Sequence, residues 1–102
     1  MRRIPRQIEA LVRFRKTEEA GRSGFASTGY RPQFHIANQD WCSQISCPNH
    51  ERMHPGHSYS VKIAFLSEDL IWDNLQEGSQ FLLREGGKVV AEGEIVRVPD
   101  CD

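Results

Sequence analysis

No stretch of this 102-residue chain approaches the ~20 consecutive apolar residues a membrane-spanning helix needs. The basic start, Met1-Arg2-Arg3-Ile4-Pro5-Arg6, is not followed by the apolar segment of a secretory signal. A cytoplasmic, membrane-free existence is the resulting expectation. Cysteines are few and odd in number (Cys42, Cys47 and Cys101), which argues against a disulfide framework and fits a reducing compartment. A phosphate-binding loop of the G-x-x-x-x-G-K-[ST] kind is missing. Gly86-Gly87-Lys88 is followed by Val89 and lies between two strand patterns, so it reads as a hairpin tip rather than a nucleotide cradle. G-x-S-x-G and H-E-x-x-H are absent as well. Glu92 and Glu94 alternate on one strand face, as solvated carboxylates do. The chain is therefore expected to be no enzyme and to need no cofactor or nucleotide. It also lacks repeats, linkers and low-complexity tracts, which predicts one domain over residues 1–102.

The dominant period is two, the signature of strands. Ile8, Ala10, Val12 and Phe14 fall on one face of the first strand, with Leu11 an apolar exception on the other. Residues 21–29 read as a polar, glycine-rich connection, and Arg31–Ile36 as a second strand whose Pro32 belongs at its start or on an edge. A third strand is expected near Asp40–Cys47, followed by loop and turn over Pro48–Gly56. Tyr59, Val61, Ile63 and Phe65 alternate with small or polar residues in a fourth strand. Leu70-Ile71-Trp72 is compatible with a strand or a helical turn. Gln80–Glu85 and Lys88–Val98 flank Gly86-Gly87, and two glycines between β-rich runs predict a tight type I′ hairpin. Gly93 predicts a bulge or a close backbone approach. Six short strands with no amphipathic helix predict a small all-β barrel or sandwich.

The net charge of −1 conceals an uneven distribution. Residues 1–31 hold eight Arg or Lys against three acids, giving +5, and the remainder holds five against eleven, giving −6. Such asymmetry suits either a nucleic-acid-facing edge or solvated strand faces. Cys42, Cys47, His50, His54 and His57 form the one cluster that invites a metal. The cysteines are separated by an odd interval, so a regular strand sends them to opposite faces, and the CxxC spacing of zinc knuckles is missing. The expectation is no metal, with Cys42, Cys47, His50 and His54 as weak candidate ligands.

Three segments carry a family resemblance. Glu18-Glu19-Ala20-Gly21-Arg22 is similar to an acidic-Gly-Gly-Arg turn. Gly29-Tyr30-Arg31-Pro32-Gln33-Phe34 matches its counterpart residue for residue, and Gly78 to Val98 follows the closing hairpin of the same family. In these segments the chain resembles the C-terminal barrel, domain 3, of elongation factor Tu and its relatives, as a stand-alone domain. The resemblance implies a six-stranded antiparallel closed β-barrel. It also implies a domain that packs beside other domains, contacts the T-stem of aminoacyl-tRNA and helps bind an exchange factor. Carried over by position, the tRNA-facing residues are Gln33, Glu85 and Gly86. Two departures weaken that inheritance: Ala37-Asn38-Gln39 replaces an Arg-Thr-Thr, and Cys42 replaces a tRNA-facing threonine.

Two partner classes follow. The first is tRNA-like RNA, bound through phosphate and ribose by Gln33, Glu85 and Gly86 with help from Arg13, Arg15 and Arg22. The second is a protein partner docked through side chains such as Trp41 or Trp72. Beside these two stands a further possibility, an enzyme accessory domain encoded separately from its catalytic partner.

Overall fold

The computed structural model describes residues 7–16, 24–65 and 75–98. Eight strands occur in them: β1 (Gln7–Phe14), β2 (Ala26–Ser27), β3 (Gln33–Ile36), β4 (Gln39–Ser46), β5 (Arg52–Met53), β6 (Ser58–Phe65), β7 (Gln80–Glu85) and β8 (Lys88–Arg97). Six of them close an antiparallel barrel in the order β1-β6-β4-β3-β7-β8, with β1 bonded to both β6 and β8. No helix among the described residues is long and apolar enough to cross a membrane.

Alternation decides which side chains fill the barrel. Ile8, Ala10, Val12 and Phe14 of β1 are all buried, as are Tyr59, Val61 and Ile63 of β6. Leu11 points the other way and is 49% exposed. Phe34 and Phe81 stack at the centre with ring centroids 4.5 Å apart, and Phe65 meets Phe34 edge-on at 5.0 Å. Aromatic pairs in such geometries add about 0.5–1.5 kcal/mol beyond the area they bury.

The two connections expected to be plain loops each contain a short strand. Ala26 pairs with Met53 and Ser27 with Arg52, forming a two-stranded sheet of β2 and β5. Ala26 and Met53 are both buried, so this small sheet closes one end of the barrel. Strands of two residues carry no readable period, which is why alternation did not disclose them. The second strand begins at Gln33 and leaves Pro32 just before it, so the missing N–H costs no ladder bond.

The hairpin between β7 and β8 has the anticipated backbone: Gly86 and Gly87 have φ of 56° and 87°. The β3–β4 turn uses the same left-handed pair without glycine, at Ala37 (φ 52°) and Asn38 (φ 62°). Gly93 marks a close approach and not a bulge. It lies opposite Phe81, and a Cβ there would sit 2.3 Å from the ring's Cζ. Register shifts fall instead between Leu83 and Arg84 and between Glu9 and Ala10. Leu70-Ile71-Trp72, the Glu18–Arg22 turn and Cys101 lie outside the described residues.

Gly93→Ala is expected to destabilise the domain by about 1–3 kcal/mol, since the Phe81 ring must leave its rotamer or the strands must part. Urea unfolding of the single variant and of Gly93→Ala/Phe81→Leu checks this. The double variant recovers part of the single variant's loss. Equal losses in the two would contradict the packing account.

Candidate functional site

Strand direction gathers the interesting chemistry at one end of the barrel. β1, β4 and β7 finish there, and β3, β6 and β8 start there. The same end therefore holds the chain that leaves β1 (Arg15, Lys16), the approach to β3 (Tyr30, Arg31), the β4–β6 connection and the Gly86-Gly87 tip.

Gln33, Glu85 and Gly86 come together. Gln33 is exposed at the first position of β3 and stands in register with Arg84 of β7 on one side and Cys42 of β4 on the other. Glu85 follows Arg84 and leads into the turn. The Tyr30 hydroxyl donates a hydrogen bond to the Glu85 carboxylate, tying the approach of β3 to the end of β7. Arg84 braces the tip from below, because its Nη2 donates to the Gly87 carbonyl at 3.1 Å. Its Nη1 donates to Asp40 at 3.0 Å, and Asp40 also holds His35 Nδ1 at 2.9 Å. Gly86 is exposed, and nothing lies within 4 Å of where its Cβ would be. A ligand's backbone can thus approach the peptide closely.

Arg13 and Arg15 are placed differently. Both turn to Glu92 on β8, with Arg13 Nη2 donating to Oε1 at 2.8 Å and Arg15 Nη2 to Oε2 at 3.5 Å. The hydrogen bond from Arg13 holds the Glu92 carboxyl below the usual carboxylate range, helped by the charges of Arg13 and Arg15 and opposed by partial desolvation. The early basic segment is thus partly neutralised on its own wall. Arg22 lies outside the described residues.

The weak metal candidates do not converge. Cys42 is exposed on the barrel wall, whereas Cys47 is buried with its thiol 3.6 Å from the Ser60 carbonyl. Among the described residues, no three His, Cys, Asp or Glu side chains are grouped to hold a metal ion. Trp41, expected as an exposed docking residue, stands opposite Phe34 and packs against the core. Its inward direction follows from sharing Phe34's face, and its indole Nε1 is buried with no hydrogen-bond partner among the described residues. Trp72 lies outside the described residues.

The outer wall carries a shallow groove of about 630 Å³ lined by Leu11, Arg13, His35, Leu82, Glu92 and Glu94 among others. Sequence reasoning missed the bracing roles of Tyr30 and Arg84. Cross-strand register creates both, and no local pattern signals them.

Comparison with known proteins supplies the remaining observation. The profile of the family described as the elongation factor Tu C-terminal domain matches residues 3–99. Elongation factor Tu 2 of Streptomyces avermitilis is 33% identical over 95 residues, which cover 93% of this chain and 23% of that protein. The chain thus spans about a quarter of the length of that relative.

The Glu92 pairing has a pH signature. A carboxylate with a depressed folded-state pKa contributes stability above its unfolded value, about 4.3, and loses it as pH falls through the folded value. Glu92→Gln is expected to cost about 0.2–1 kcal/mol near neutrality, as half-exposed ion pairs do, and nothing in strong acid. Denaturant midpoints of both proteins across that range check the sign. A cost that is constant with pH would show that the pairing contributes no linked stability.

Proposed function

Because the chain belongs to the elongation factor Tu C-terminal domain family, we propose that it is a non-catalytic, translation-associated module, without GTPase activity, that contacts tRNA-like RNA. The contact surface is the barrel end bearing Gln33, Glu85 and Gly86. The observation that carries this reading is the braced hairpin tip, fixed by Arg84 on one side and Tyr30 on the other. A tip held in one conformation offers donors and acceptors at low entropic cost, which is what recognition of an RNA backbone needs.

The roles divide by chemistry. Gln33 offers an amide that donates to a phosphate and accepts from a ribose 2′-hydroxyl. Glu85 can only accept, so it suits the hydroxyl and not the phosphate. Gly86 presents its backbone to the RNA without a side chain in the way. Arg31 and Lys88, exposed on either flank of the tip, supply attraction to phosphate, and neither forms an ion pair among the described residues. Arg13 and Arg15, drawn to Glu92, contribute less, and Arg22 lies outside the described residues. Such contacts position RNA without reading its sequence. A cytoplasmic location accords with this role.

A second reading rests on a different surface. Leu11 is 49% exposed and Val96 is 55% exposed on the adjoining strands β1 and β8, next to the outer-wall groove. Exposed apolar side chains beside a groove suit a protein partner, and the domain would then be an adaptor that reuses the barrel's docking wall.

Fluorescence anisotropy with a short RNA hairpin separates the two. If the tip neutralises about three phosphates, affinity falls roughly 40-fold between 50 and 200 mM salt. Arg31→Gln with Lys88→Gln lowers the salt slope by about two, and Gln33→Ala weakens binding without changing the slope. RNA affinity untouched by these changes, or no RNA affinity at low salt, sinks the RNA reading. Loss of protein capture in Leu11→Ser would then support the adaptor.

A further inference from the structure

The connection from β4 to β6 contains a feature that the family resemblance does not account for. Two successive turns fold it. The His50 N–H donates to the Cys47 carbonyl at 3.3 Å, and the His57 N–H donates to the His54 carbonyl at 3.3 Å, with Gly56 at φ 83° between them. The backbone N–H of His54 donates to the Tyr59 hydroxyl at 2.8 Å, anchoring the loop to β6. The consequence is that His50, His54 and His57 surround Arg52 of β5 about one shallow depression of some 680 Å³.

Three of these side chains, His50, Arg52 and His54, make ring contacts, and all four leave their side-chain polar atoms uncommitted among the described residues. His50 meets the Tyr59 ring at 5.3 Å, and His54 meets Phe25 at 5.7 Å. The Arg52 guanidinium lies 4.7 Å from the centre of the Phe25 ring. None of the three imidazoles, nor Arg52, forms a hydrogen bond or ion pair through its side chain among the described residues. They frame a concavity from several sides without gathering as metal ligands do. Several nitrogen donors on one lining, with no acceptor of their own among the described residues, match a multidentate anion.

We propose that the depression framed by His50, Arg52, His54 and His57 binds phosphate groups through the Arg52 guanidinium and the imidazole N–H donors. Glu51 is the one acid on its lining. The neighbouring groups add no unpaired acid among the described residues. Lys16 lies over Gly56 from the β1 side, Tyr59 is buried, and Arg13, in register with Ser58, is paired with Glu92. The source can be a free inorganic polyphosphate or the backbone of a nucleic acid. The site does not depend on Gln33, Glu85 or Gly86, so it stands or falls separately from the RNA reading of the hairpin tip.

The test is an NMR titration of the whole chain with inorganic tripolyphosphate, following the histidine ring resonances. The expected result is saturable movement of the His50, His54 and His57 resonances. Arg52→Gln and the triple variant His50→Gln/His54→Gln/His57→Gln should each lose most of the affinity while keeping the wild-type amide spectrum elsewhere. Where the triple variant does not fold, Arg52→Gln alone decides. A short RNA hairpin added to the tripolyphosphate complex distinguishes the sources. Displacement at the imidazoles identifies backbone phosphate as the ligand, and unmoved imidazoles identify free polyphosphate. No saturable movement of these resonances, or affinity retained in Arg52→Gln, overturns the proposal.

Discussion

Closure of the barrel through β1 is the constraint on which the other features depend. β1 pairs along its length with β6 and with β8, so the sheet has no free edge at that seam. Closure gives every strand one face inside, and it forces Ile8, Ala10, Val12 and Phe14 into the same space as Val61, Ile63, Leu83 and Ile95. It also leaves two open ends that need covering. At one end the cover comes from β2 and β5, whose pairing seats Met53 and Ala26 on the core. That small sheet in turn fixes where the β4–β6 connection runs and where Tyr30 approaches β3. Gly93 is part of the same arrangement, because Phe81 can lie across the barrel only if the residue opposite it has no side chain.

Closure also sorts the charges. Outward-facing residues of neighbouring strands meet in lateral rows, and two such rows neutralise much of the wall: Arg13 and Arg15 with Glu92, and Arg84 and His35 with Asp40. The end where β3, β6 and β8 begin holds Arg31, Arg52 and Lys88 and three histidines, together with Glu51 and Glu85. An uneven charge distribution along the sequence thus becomes a different unevenness in space. The first 31 residues are strongly basic, yet the part of that charge lying on β1 is answered by β8. Steering of a polyanion would come from the barrel end and not from the β1 face.

Most of the fold could be read from the residues, and the reason is specific. Alternation in β1 and β6 and the glycine pair at the hairpin are local signals, and the barrel uses both as they stand. The Gly-Tyr-Arg-Pro-Gln-Phe segment added the family. What stayed hidden depended on pairing between distant residues. β2 and β5 are too short to show a period, and Tyr30 meets Glu85 only because the barrel brings β3 beside β7. Trp41 misled for a related reason. Its tryptophan chemistry suggested a docking residue, but its register with Phe34 turns it toward the core. Gln33, Glu85 and Gly86 could be named as a group from the resemblance, whereas Arg84, which braces them, could be assigned only from its contacts with Gly87 and Asp40.

The central claim is that one end of the barrel, organised around the braced Gly86-Gly87 tip, is the surface that meets RNA. Hydrogen–deuterium exchange of the intact chain, with and without a T-stem-like RNA hairpin, tests it most directly. The account predicts added protection at the amides around Gln33 and from Arg84 to Lys88. Protection centred instead on Leu11 and β8, or no change at any amide with RNA in excess, would contradict it.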